Sequence, residues 1–143
     1  MAITFTAYNS FKKALFDKSI DFTNDTIKVA LTTSSYTPNI DTHDMFNDIT
    51  NECTGTGYTA GGFTLSGKAT SVDTTDNEGV FDATDLTNTT TTIANARYAI
   101  LYKSTGVAST SPLIGYWDLE TNLSSIGGDF SFTWNAEGIL NIN

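Results

Sequence analysis

The chain is poor in cysteine, histidine and basic side chains. Cys53 is the single cysteine in 143 residues, so no internal disulfide can form and packing must hold the fold. His43 is the single histidine, which leaves a closed zinc site of nitrogen and sulfur ligands without enough donors. Seven Lys and Arg stand against sixteen Asp and Glu, giving a net charge of −9 and a pI near 4.2. Such a surface repels phosphate backbones and anionic lipid, so neither nucleic acid nor membrane is an expected partner. It suits cations or docking onto a basic surface. No stretch approaches the roughly 20 apolar residues of a membrane-spanning helix. Met1–Thr6 lacks the basic and apolar regions of a signal peptide, and none is expected.

Hydrophobic residues make up 39% of the chain and charged ones only 16%, with Thr, Ser and Asn filling the difference, as in Thr87-Asn88-Thr89-Thr90-Thr91-Thr92. β-Branched threonine suits exposed strand positions, where its stiff side chain covers the pleat and its hydroxyl stays wet. The length allows one domain, residues 1–143, with a sizeable core.

The stretch Thr91–Lys103 organises the rest. Both of its faces carry apolar groups near Tyr98–Leu101, which predicts a strand inside a sheet. Ser104-Thr105-Gly106 breaks it, and Pro112–Trp117 follows closely enough to return as an antiparallel neighbour. Upstream, Tyr8, Phe11, Ala14, Leu15 and Lys18 fall on one face of a helix over 7–18, with Thr6 as its N-cap. Ile27, Val29 and Leu31 alternate with Lys28 and Ala30, predicting a strand with one buried face.

A polar connection then runs over 34–62, a length that is usually functional or docked against something. His43–Ile49 within it reads as a single helical turn. From Phe63 the pattern is short strands and turns: Phe63–Leu65, Ala69–Val72, Val80–Ala83, Ile93–Lys103, Leu113–Leu119, Asp129–Trp134 and Gly138–Ile142. Phe130, Phe132 and Trp134 share one face. The expected fold is mainly β, an antiparallel β-sandwich or barrel-like domain with one short N-terminal helix. Its parts are an N-terminal segment (1–6), the helix (7–18), the long loop (34–62) and a β-core (63–143).

Little in the residues points to chemistry. The glycine-rich Gly55–Gly62 lacks the Lys-Ser/Thr pair and following helix of a phosphate loop. Cys53 and His43 would make a nucleophile–base pair only if the fold joined them, and no cationic group near Cys53 in sequence would activate its thiol. Calcium is the strongest metal option, with Asp73, Asp76 and Glu78 at one turn, although no EF-hand spacing appears. Nothing singles out a glycosidase-like carboxylate pair. Asn24, Asn88 and Asn122 fit the N-glycosylation pattern, a coincidence expected of an Asn/Thr-rich chain. Tyr36, Tyr58, Tyr116 and Trp117 would, if exposed together, form a platform for a sugar or receptor. No catalytic residue and no cofactor is expected.

A series of stretches in order carries a resemblance. They are Tyr8–Phe16, Asp25–Leu31 with Ser35–Pro38, Asp41–His43, Asn51–Gly62, Ala96–Lys103 and Ser111–Tyr116. Together they resemble a group of small structural proteins of tailed bacteriophages, over nearly the whole chain, with Glu52–Gly62 the most specific part. The chain departs from that pattern at Cys53, where a β-branched apolar residue is commoner, and near Asn88, where an aromatic often stands.

The resemblance implies a virion component on the capsid surface, made in the host cytoplasm. It would be a capsid cement or decoration protein whose partner is the major capsid protein. It implies no catalytic residue. Symmetric placement on a shell favours a homo-oligomer, with a trimer first. Contact with capsid or neighbouring copies is expected from 1–6, through Ile3 and Phe5, and from 34–62, through Tyr36, Met45, Phe46 and Tyr58. The alternatives are a tail, neck or baseplate component, or a sugar- or receptor-binding β-domain.

Overall fold

A computed structural model describes residues 3–143; Met1 and Ala2, part of the expected contact segment, lie outside the described residues. In chain order the elements are β1 (Phe5–Ala7), α1 (Asn9–Asp17), β2 (Ile27–Thr32), β3 (Gly55–Thr56), β4 (Phe63–Thr64) and β5 (Ala69–Asp73). They continue with β6 (Glu78–Asp82), β7 (Leu86–Lys103), β8 (Leu113–Phe132) and β9 (Leu140–Ile142). The larger sheet has the order β1-β8-β7-β2-β4, with β3 also paired to β7; the smaller is β5-β6-β9. All pairings are antiparallel. The two sheets pack in a sandwich-like manner, as the turn spacing predicts.

The helix is shorter than its periodicity predicts. Thr6 is not its cap, because Thr6 and Ala7 pair with Tyr116 and Gly115 of β8. Tyr8 is extended at the helix start, and Lys18, left-handed at φ 57°, ends it with its N–H on the Ala14 carbonyl. Phe11 and Ala14 are buried; Leu15 and Lys18, on the same expected face, are exposed.

β2 has a covered second face where one buried face was expected. Ile27, Val29 and Leu31 join the inter-sheet core, while Ala30 joins Tyr8, Tyr36, Ile100, Tyr102 and Leu113 on the opposite side. The 34–62 connection supplies the cover: Ile40, Phe46 and Ile49 pack on that second cluster. The expected helical turn is a 3-10 helix, Phe46–Asp48. Apolar runs on both faces of the central strands thus find partners on both faces, which is why a loop this long stays folded.

β7 and β8 form one long ribbon where several separate strands were expected. Its irregularities bend it. Thr89 and Thr90 stand against Asp129 alone, and Ala94 and Asn95 against Ser124 alone; Leu119–Asn122 bulge opposite Arg97. Thr90, Asn95, Glu120 and Gly127 take positive φ. Bulges of this kind increase local twist. One end of the ribbon therefore lies in the flat of the larger sheet, while at the other Leu86 and Phe130 reach the core shared with Phe81 and Ile139.

Candidate interaction surface

A concave region lies where the sandwich stays open, between β1 and β9. Each is the end strand of its sheet. A hollow of about 450 Å³ is lined by Ile3, Phe5, Trp117, Phe132, Trp134 and Ile139 among others. A second, of about 350 Å³, shares Phe5 and Ile139 with the first and runs on past Leu15 to Ile142.

The aromatic floor is a ladder. Phe5 lies 4.9 Å from Trp117, Trp117 5.5 Å from Trp134, and Trp134 5.7 Å from Phe132 at a 17° interplanar angle. The alternation Phe130, Phe132, Trp134 places these rings. Trp134 is then fixed by donating its backbone N–H to Asp85 Oδ1 at 2.9 Å and its indole N–H to the Thr84 carbonyl at 3.1 Å. Phe5 crosses β8 over Gly115, where a Cβ would come within 2.1 Å of the Phe5 ring. Ile3 and Phe5, both expected contact residues, border this trough.

Tyr36 and Tyr58 turn inward instead of facing a partner. The Tyr36 hydroxyl lies 2.9 Å from that of Tyr8 and 2.8 Å from His43 Nδ1, and burial pushes the Tyr36 phenol up to about 12. Tyr58 sits on the other side of the sheet. Its hydroxyl donates to Glu52 Oε1 at 2.7 Å and accepts the Leu31 N–H at 2.9 Å. Glu52 Oε1 also accepts the Gly61 N–H at 2.6 Å, and the Tyr102 hydroxyl donates to the Gly61 carbonyl at 2.6 Å. The glycine-rich segment is therefore a clasp that ties the loop to β2 and β7. Phe46 stacks on Tyr102 at 4.1 Å, and Met45 is half-buried in an isolated bridge to Pro112. With Tyr36 and Tyr58 on opposite faces of one sheet, the four-ring platform for a sugar does not assemble.

The calcium trio is only partly brought together. Asp73 and Asp76 meet Glu137, not Glu78; one ligand atom from each of the three lies within 4.8 Å of the others. Glu78 instead accepts a hydrogen bond from the Asn141 side chain. Asp73 Oδ1 already accepts the N–H groups of Thr75 at 2.7 Å and Asp76 at 3.3 Å, as in an ordinary turn. Sequence spacing could not have found Glu137, which comes from the turn before β9.

Cys53 and His43 do not meet in a pair. Cys53 belongs to the inter-sheet core, whereas His43 bonds to Tyr36 on the other face. Burial, with the Glu52 charge behind it, pushes the Cys53 thiol up to about 11, the reverse of an activated nucleophile.

No helix among the described residues is long and apolar enough to cross a membrane. Comparison of the chain with protein-family models, curated proteins and solved structures finds no match.

Proposed function

We propose that this chain is a structural component of a tailed-bacteriophage virion, a capsid cement or decoration protein that binds the major capsid protein as a homo-oligomer. The observation that carries the reading is the ordered series of stretches from Tyr8 to Tyr116 that resembles small phage structural proteins. Its most specific part, Glu52–Gly62, is also the clasp that fastens the long loop to the sheet. The resemblance thus rests on residues with a defined structural job and not on Thr-rich composition. A decoration protein needs a well-packed body and an exposed contact face. Two covered faces of the central sheet and an open apolar trough are compatible with that need. The acidic surface, at −9, favours a basic patch on the shell exterior as the docking ground.

Quantitative mass spectrometry of purified particles tests the reading. Copies in a simple ratio to the major capsid protein, in the hundreds per particle for an ordinary shell, are expected. A handful to a few dozen copies would move the chain to the tail, neck or baseplate. Absence from particles would overturn the virion reading altogether.

A further inference from the structure

We propose that the trough between β1 and β9 is the surface through which this chain packs against a second copy of itself. The inference deepens the homo-oligomer of the reading above and rests on it, but it locates the contact without using a position on any particle.

Three observations meet at this trough. The first is that the sandwich is left open there. β1 and β9 each have one side paired, to β8 and β6, so each offers an unpaired backbone edge beside an apolar floor. The second is exposure along the rim: Ile3 is 47% exposed, Leu15 40% and Ile142 53%. Large apolar side chains gathered along one cleft mark a contact surface more than scattered ones do.

The third observation is charge, and it selects the occupant. The chain carries sixteen acids, yet none of the described residues lining either hollow is Asp or Glu; the one charged residue there is Lys12. Two copies at −9 repel each other, and the repulsion is weakest when they meet where the carboxylates stand back. A basic partner would seek the acidic surface and gain nothing here. A second copy brings the same acid-free, aromatic face, which is what a self-complementary contact requires. A standard interface takes about 800 Å² from each partner, roughly a tenth of the 7599 Å² surface, so the contact must take in the β1 and β9 edges around the two hollows as well as their floor.

The test is light scattering behind size exclusion on the purified full chain, at low and high salt over a wide concentration range. The expected mass is twice 15.4 kDa, since a face that meets its own copy closes as a two-fold dimer, with tighter assembly at high salt because salt screens the mutual repulsion. Leu15→Asp and Ile142→Asp are each expected to weaken self-association roughly tenfold or more, since each puts a carboxylate into the contact. Val72→Asp, at a side chain 77% exposed on β5 and outside the trough, should leave it unchanged. Circular dichroism of each variant confirms that it folds.

A monomer at every concentration and salt overturns the proposal, as does an oligomer indifferent to both trough variants or equally weakened by Val72→Asp. The two readings fail separately. A monomeric chain that is abundant in particles sinks the self-contact alone, while a trough-dependent oligomer absent from particles sinks the virion placement alone.

Discussion

At Gly115 a hydrogen atom stands where any other residue would place a carbon. That carbon would lie 2.1 Å from Phe5 Cζ and 2.6 Å from the Thr6 carbonyl. Neither neighbour can withdraw easily: Thr6 is held in the β1–β8 ladder, and the Phe5 ring is packed against Trp117. Gly115→Ala is therefore expected to destabilise the fold by about 1–3 kcal/mol, the usual cost of overpacking, read as a lower urea midpoint. Gly128→Ala is the comparison, since its added Cβ meets nothing nearer than 4.0 Å; it should change stability by no more than about 1 kcal/mol either way. Equal midpoints for wild type and Gly115→Ala would show that β1 is not held as described. In the sequence Gly115 reads only as a small residue inside the apolar run Pro112–Trp117. The reason for it lies in Phe5, far away along the chain, and no local pattern encodes that crossing.

Among the elements, the β7–β8 ribbon shows both what a strand pattern reveals and where it stops. The interior placement of Tyr98–Leu101 and its antiparallel return through Leu113–Trp117 follow from apolar residues on both faces, and the structure has both. The bulges do not follow, because alternation is lost wherever one strand carries an extra residue and the pattern then reads as a strand ending. Residues 120–128 therefore look like a gap between two strands, although β8 runs through them. Helix α1 was foreshortened for a similar reason: sheet pairing of Thr6 and Ala7 overrode their place in the helical period. Thr90 marks one bulge at φ 57°, a left-handed conformation that a β-branched side chain tolerates poorly. Its side chain is exposed, so little packing is at stake. Thr90→Asn is expected to stabilise the protein by about 0.5–1 kcal/mol by relieving that strain, seen as a higher thermal midpoint. An unchanged or lower midpoint would mean that the bulge sits elsewhere in solution.

For the whole molecule, the sandwich class could be read from short strands and turn signals, but the cover of the second sheet face could not. That cover comes from a polar-looking loop whose few apolar residues, Tyr36, Ile40, Phe46 and Ile49, are spaced without period. The same distance from local pattern explains the acidic trio, which needed Glu137 from another turn, and the trough, which needed two sheets to meet. Closing both faces also buries a set of weak acids, and this sets the response to alkali. Burial pushes the Cys53 thiol up to about 11 and the Tyr36 and Tyr102 phenols up to about 12, with Tyr8 and Tyr58 higher still. The unfolded chain releases the same protons near their ordinary values, 9.0 for the thiol and 10.0 for the phenols. Above these values the unfolded state binds fewer protons than the native state, so stability must fall as pH rises. The stabilisation is complete below pH 9.0, the ordinary thiol value, and is lost progressively as pH rises from there through about 12 and beyond, Tyr8 and Tyr58 being the last to give theirs up. Urea midpoints should therefore hold level from neutral pH until the thiol begins to ionise in the unfolded chain, then decline steeply. Cys53→Val, which keeps a buried apolar side chain, removes the first of these groups and should move the onset up to where tyrosine ionises. Tyrosinate absorbance from the buried phenols should appear together with unfolding and not before it. A midpoint that stays level to pH 11, or ionisation of Tyr8, Tyr36, Tyr58 or Tyr102 while the fold persists, would place these side chains in water and contradict the two-faced core.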